Sequence, residues 1–103
     1  MKSEEFNKVF RDTFDKSAST LITKAEEYAT DFDRLHNFKL AAGLLAGSPE
    51  QACWGFAVKH FVSISDMVRT GNSYPIATWD EKIGDALNYL ILLRALVEET
   101  NGS

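Results

Sequence analysis

Apolar residues recur at helical spacing from the start of the chain. Phe6, Phe10 and Phe14 lie four residues apart, and the apolar stripe continues at spacings of three and four. Its later members are Leu21, Ala25, Tyr28 and Phe32. The pattern predicts one long amphipathic helix over about residues 4–32, with the stripe facing the core. Serine and threonine near residues 17–20 have low helix propensity, so a bend or an interruption is expected there.

A second, shorter helix is predicted over about residues 34–46. Residues that favour turns and helix caps precede it, and Gly47 is a natural stop. Its inward-facing side chains are expected to be those of Phe38, Ala41, Ala42 and Leu45.

The strongest local signal in the chain marks the start of a third helix. Ser48, Pro49 and Gln51 fit the N-cap, N1 and N3 positions of a capping box. The helix is predicted over about residues 49–70, and Gly71 suits the C′ position that follows its last turn.

A second capping box, from Thr78 to Glu81, predicts a last helix over about residues 79–99. Its interior, residues 83–97, is apolar nearly all round, so burial on most sides is expected. One small chain has too few helices to cover such a surface, so we expect a homo-oligomer to complete the fold. No segment shows the two-residue alternation of a strand, and the predicted class is all-α, resembling a four-helix bundle, with residues 1–103 as a single helical domain.

Charge and composition narrow the class of protein. The formal net charge is −4 and the basic residues are not clustered, which argues against a nucleic-acid footprint and suits a divalent cation or a basic partner. The lone Cys53 cannot form an intramolecular disulfide and excludes cysteine-based zinc sites. No apolar run reaches the length of about 18–20 residues that crosses a bilayer. Since no apolar signal segment opens the chain, we expect a cytoplasmic protein.

A polar stripe interrupts the apolar last helix. Glu81, Asp85 and Asn88 follow the spacing i, i+4, i+7 and therefore share one face. A buried carboxylate without a partner costs several kcal/mol, so Asp85 must meet a cation, a metal ion or hydrogen-bond donors. Lys59, Ser63 and Asp66 have the same spacing on the third helix, and Lys59 would answer one of the carboxylates if these two helices pack antiparallel.

Carboxylates from several segments could together form an all-oxygen metal site. The candidates are Asp33 before the second helix, Asp66 on the third and Asp85 on the fourth, with Glu27, Asp31 and Asn37 near the first turn. Such a site suits Mg²⁺ or Mn²⁺ rather than zinc.

Purely structural explanations stay open for each of these residues. Asp85 and Asn88 could form a hydrogen-bond network with Lys59. Asp33 could cap a helix, and His60 could serve packing. Lys24 has acidic neighbours in Glu26 and Glu27, which is typical of a solvated helix face.

Three stretches resemble a family of small phage and prophage proteins related to the MazG-like nucleoside triphosphate pyrophosphohydrolases. They are DRLHNFK at 33–39, KHFVSISDM at 59–67 and WDEKIGDALNY at 79–89. The last of these is similar to the second acidic motif of MazG-like enzymes. The resemblance implies an all-helical oligomer in the cytoplasm of an infected or lysogenic bacterium.

The resemblance also implies a reaction and a set of residue roles. MazG-like enzymes hold Mg²⁺ with acidic side chains of neighbouring helices, and water attacks the α–β linkage of the triphosphate to release a monophosphate and pyrophosphate. On this chain Asp85 would be the metal-binding and catalytic acid, with Glu81 as its catalytic companion. Lys59 would contact phosphate, and Asn37 and Asn88 would bind the substrate.

The leading hypothesis is therefore a Mg²⁺-dependent nucleoside triphosphate pyrophosphohydrolase. One alternative is a module that binds a nucleotide without turnover, which Lys82 favours because it stands where the family has a glutamate. A second alternative is an acidic phage protein that binds and inhibits a host defence protein.

Overall fold

The computed structural model describes residues 1–28 and 33–102, with only the helical backbone described for residues 25–28. The described residues form four helices and no strand, which confirms the all-α class. The helices are α1 (Ser3–Tyr28), α2 (His36–Leu45), α3 (Pro49–Thr70) and α4 (Ile76–Thr100). No helix in this part of the chain combines the length and the hydropathy needed to span a bilayer.

Helices α3 and α4 pack against each other and form the centre of the fold. They run antiparallel, since Thr100 near the end of α4 donates a 2.7 Å hydrogen bond to Glu50 at the start of α3. Cys53 is fully buried between them and Leu96 is 2% exposed. Burial raises the pKa of the Cys53 thiol to about 11, so this side chain stays protonated and acts as a small apolar core residue.

The second helix closes the core from the side of α3. Leu35 and Phe38 are buried against Cys53 and Leu96, and the Phe38 ring lies 6.1 Å from that of Phe56. The capping box predicted for α3 is present, with Ser48 accepting from the amide of Gln51 and the Gln51 side chain accepting from the amide of Ser48. Local hydrogen bonds therefore define where α3 begins.

The first helix packs on α4 and runs in the same direction. Lys16 pairs with Asp80 at 2.8 Å, and the buried Ser17 lies against Gly84. A Cβ atom at position 84 would lie 3.3 Å from the Ser17 hydroxyl, so the glycine allows the close approach of the two helices. This packing explains why residues 17–20 continue the helix without the interruption that their propensity suggests.

The predicted inward stripe of α1 is wrong over its first half. Phe6, Phe10 and Phe14 are 60%, 59% and 51% exposed. Helix α4 begins only at Ile76, level with the middle of α1, and the first three turns of α1 therefore have no helix beside them. The later stripe residues Ala25, Tyr28 and Phe32 lie outside the described side chains.

The last helix begins earlier than its sequence pattern predicts. Pro75 occupies the N-cap, and its carbonyl accepts from the amides of Thr78 and Trp79. The rings of Tyr74 and Trp79 meet edge to face at 6.1 Å, at the N′ and N4 positions of a hydrophobic staple. Thr78 therefore lies inside α4 and does not cap it, which corrects the predicted second capping box.

Two further burial predictions are wrong. Leu45, expected to face inward from α2, is exposed at the end of that helix. Helix α4 is not buried all round, because Ile83, Leu90 and Val97 remain exposed on its outer side. These three side chains are seven residues apart and thus share a face away from α1 and α3.

The core position of Leu96 leads to a stability prediction. We expect Leu96→Ala to lower the free energy of unfolding by about 2–5 kcal/mol, because it removes buried methyl groups and leaves a cavity. Leu44→Ala is the matched control, since Leu44 is 79% exposed and its loss should change the stability by less than about 0.5 kcal/mol. Urea denaturation of both variants measures the difference, and equal effects would contradict the assigned core.

Candidate functional site

A pocket of about 220 Å³ is lined by side chains from all four helices and from the turn before α2, and we call it the central pocket. Its polar lining consists of Lys24 from α1, Arg34 and Asn37 at the start of α2, and Asp85 and Asn88 from α4. Its apolar wall consists of Leu21, Phe38, Phe56, Tyr89 and Leu92. The packing of α1 on α4 therefore joins polar groups that are far apart in the sequence.

Asp85 is the carboxylate of the central pocket within the described residues. Its side chain is about four-fifths buried and has basic groups on two sides. Lys24 Nζ lies 3.8 Å from Oδ1, and His60 Nδ1 lies 3.8 Å from Oδ2. Of the partners expected for Asp85, a cation, a metal ion or hydrogen-bond donors, the structure shows a cation, and it comes from α1 rather than from Lys59 on α3.

His60 stands behind Asp85 and is mainly a packing residue. Its ring stacks on Tyr89 at a centroid distance of 5.0 Å. Burial lowers the pKa of His60 below the usual 6.5; Asp85 opposes this shift, and the nearby Lys59 and Lys82 reinforce it. The imidazole is therefore neutral at pH 7, and Lys24 supplies the full positive charge beside Asp85.

Asn88 lines the central pocket and is a nearly fully buried amide. The residue is only 6% exposed, and its Oδ1 has no hydrogen-bond partner in the described part of the chain. A buried carbonyl oxygen without a partner is costly. That Asn88 contacts a ligand stays a prediction.

Of the remaining polar residues predicted for the site, one lines the central pocket, one borders a neighbouring groove and two lie elsewhere. Asn37 lines the central pocket, as the sequence prediction requires of a substrate-binding residue. Glu81 is exposed and borders a neighbouring groove between α1 and α4, which also includes Asp85. Lys59 and Asp66 are exposed on α3 and do not line the central pocket.

Asp33 stabilises the turn that leads into α2. Its Oδ1 accepts a 2.9 Å hydrogen bond from the Leu35 amide, and its Oδ2 pairs with Lys39 at 2.6 Å. These contacts hold the pKa of Asp33 below its usual value, with the Lys39 hydrogen bond as the largest cause. The structural alternative considered for Asp33, a cap near the start of the second helix, is therefore close to what the structure shows.

The described residues contain no cluster of three potential metal-binding side chains. No three His, Cys, Asp or Glu side chains gather in ligand geometry within residues 1–24 and 33–102. The predicted set of Asp33, Asp66 and Asp85 is therefore not brought together. Glu27 and Asp31, which the sequence adds to the set, lie outside the described side chains.

Sequence reasoning missed the two cations of the central pocket. Lys24 was assigned to a solvated face, although it lies seven residues after the buried Ser17 and thus on the same face of α1. Arg34 lies inside one of the family-like stretches but carried no predicted role. The spacing of Ser17, Leu21 and Lys24 was the available signal for a contact with α4.

Comparisons of the chain with protein-family models, with curated proteins and with solved structures give no significant match. The central pocket and the sequence motifs are therefore the features of the chain that bear on its function.

The position of His60 leads to a prediction about pH. Because the folded state lowers the pKa of His60, the unfolded chain takes up this proton more readily as the pH falls below about 6.5. We expect the free energy of unfolding to decrease from pH 7.5 to 5.5, and His60→Gln to make that decrease smaller. Urea denaturation at pH 7.5, 6.5 and 5.5 measures it.

The matched control for this prediction is His36→Gln, which removes an imidazole that is exposed to solvent at the start of α2. Its pH dependence should follow that of the unmodified protein. A decrease that is as steep in His60→Gln as in the unmodified chain would contradict the assignment.

Proposed function

We propose that the central pocket binds a nucleoside triphosphate. The observation that carries this proposal is the combination of two basic side chains, an unpartnered amide oxygen and an aromatic wall around one cavity. Basic groups suit phosphate oxygens, whereas aromatic rings and an amide suit a nucleobase. At about 220 Å³ the cavity lies below the range of about 300–1,000 Å³ for pockets that enclose whole ligands, so part of the nucleotide would lie outside it.

Lys24 and Arg34 are the phosphate-binding groups in this proposal. They line the pocket from two different segments, one from α1 and one from the turn before α2. Lys24 and Arg34 carry two positive charges, and Asp85 carries one negative charge. The three groups together therefore have a net charge of +1, which favours an anionic ligand. The guanidinium of Arg34 can in addition donate two parallel hydrogen bonds to one phosphate.

The base would lie against the aromatic wall. The Phe38 ring lies 6.1 Å from Phe56 and 6.4 Å from Tyr89, so three rings border one side of the cavity. Stacking of a base on an aromatic side chain contributes about 1–3 kcal/mol. Asn88 Oδ1 would then accept a hydrogen bond from an N–H group of the base.

We propose hydrolysis to a monophosphate and pyrophosphate as the reaction, as the MazG-like motifs imply. Water attacks at the α–β linkage, the bridging P–O bond breaks, and pyrophosphate leaves with its electron pair. Asp85 would accept the proton of the water; its position as the carboxylate of the pocket within the described residues supports this role. Magnesium would need ligands beyond those that the described residues bring to the pocket, so no step is assigned to it.

Binding without turnover is the second candidate, and a specific observation favours it. Asp85 is the one acidic residue that lines the central pocket in the described chain, and basic groups already lie on two sides of it.

We further propose that the four helices have a MazG-like arrangement, that a second copy of the chain completes the fold, and that the protein acts in the bacterial cytoplasm.

Nucleotide binding can be tested with Arg34→Ala. We expect unmodified protein to bind at least one of the common nucleoside triphosphates in calorimetry, and Arg34→Ala to weaken that binding about 10- to 100-fold, because a charge-assisted hydrogen bond contributes about 1.5–3 kcal/mol. Lys59→Ala is the matched control, since it removes the same charge outside the pocket. Equal loss in both variants, or no binding by the unmodified chain, would overturn the proposal.

Turnover can be tested with Asp85→Asn. We expect pyrophosphate release from the nucleotide that binds best, in the presence of Mg²⁺, and a loss of at least about 100-fold in Asp85→Asn, which is the scale of general-base catalysis. Asp66→Asn on the exposed side of α3 should retain the rate. Binding by the unmodified protein with no pyrophosphate release would identify the binding module instead.

A further inference from the structure

The first turns of α1 form an amino-terminal arm that projects from the body of the molecule. We define the arm as residues 3–14; its first ten residues are all exposed. Its ion pair between Lys8 and Asp12 stays within the helix, whereas Lys16 and Ser17 further along α1 contact α4. The exposure of residues 3–12 shows that α4 does not cover this part of the arm.

One face of the arm is strongly apolar although it is exposed. Phe6, Val9, Phe10 and Phe14 follow the spacing i, i+3, i+4, i+8, which places them on one side of the helix. The rings of Phe10 and Phe14 stack at 6.0 Å and still leave more than half of each side chain in solvent. An isolated helix of about 12–15 residues or fewer is marginal in water, so packing against another surface would stabilise the arm.

The single chain exposes more surface than a compact protein of its size. Its accessible surface is 7482 Å², against roughly 5,800 Å² for a compact monomer of 11.5 kDa. The radius of gyration is 15.7 Å, whereas about 13 Å is usual for 100 residues. The excess of roughly 1,700 Å² lies in the range of about 1,000–2,500 Å² that each chain buries in an obligate homodimer.

The body of the molecule carries an uncovered apolar surface that could receive such an arm. The exposed side chains of Ile83, Leu90 and Val97 form a stripe along the outer side of α4. Trp54 and Val58 add exposed apolar area on α3. An apolar arm and an apolar stripe on the same chain allow two copies to cover each other in a symmetric way.

We propose that the arm docks on a second copy of this chain, against the outer stripe of α4, and that each copy gives its arm to the other. This inference rests on the homo-oligomer proposed above and assigns its contact surface. The arm lies apart from the central pocket, so its loss need not remove nucleotide binding.

The test compares two glutamate variants on different faces of the arm, about 100° apart around the helix axis. Phe10→Glu places a charge on the apolar face, whereas Arg11→Glu places one on a different face of the same helix and is the matched control. Light scattering after size-exclusion chromatography, at chain concentrations from about 1 to 200 μM, measures the mass. We expect the unmodified chain and Arg11→Glu to have twice the 11.5 kDa mass, and Phe10→Glu to raise the dimer dissociation constant at least about 30-fold.

The outcomes separate the two proposals. A monomeric unmodified chain over the whole range overturns both the homo-oligomer and the docking of the arm. A dimer that Phe10→Glu leaves intact overturns only the arm as its contact. Since Phe10 is exposed in the single chain, Phe10→Glu should leave the helix content outside the arm unchanged, as measured by circular dichroism. Leu90→Glu on the outer stripe should weaken the dimer as Phe10→Glu does.

Discussion

The negative charge of Asp85 limits how the helices can be arranged around α4. A carboxylate that is largely removed from water requires a compensating charge, and Lys24 supplies it from α1 at 3.8 Å. Lys24 reaches this position because the buried Ser17 lies against Gly84 and brings α1 close to α4. The charge compensation, the close helix contact and one wall of the central pocket therefore depend on one another.

The central pocket combines features that each have an ordinary structural explanation. Lys24 compensates Asp85, the aromatic rings complete a small core, and Asn88 is a buried amide on a packed helix. Their convergence on one cavity, with Asn88 Oδ1 unpartnered in the described chain, is what points to a ligand. A polar acceptor that the protein itself does not satisfy is more informative than a charged side chain that already has a partner.

Local signals predicted the fold better than they predicted the site. The capping box at Ser48 and the C′ glycine at position 71 act over a few residues, and the structure has both features. The start of α4 was missed because Tyr74 and Trp79 form a staple that competes with the Thr78 capping pattern. The spacing of Asp85 and Asn88 identified one wall of the pocket, but the identity of the opposing cation depends on which helix packs there. The periodicity of one helix does not show which other helix packs against it. For the same reason it does not show that Phe6 and Phe10 stay exposed in the single chain.

The continuity of α1 has a mechanical consequence. A single unbroken helix of 26 residues carries both the projecting phenylalanines and Lys24. Phe10 and Lys24 are about 21 Å apart along the helix axis. When one end of a straight helix tilts or slides, the other end moves with it. A contact at the free end that shifted the helix would therefore also move the Lys24 ammonium group in the cavity, and thermodynamic reciprocity would then require an occupant of the cavity to change the strength of that contact by the same factor.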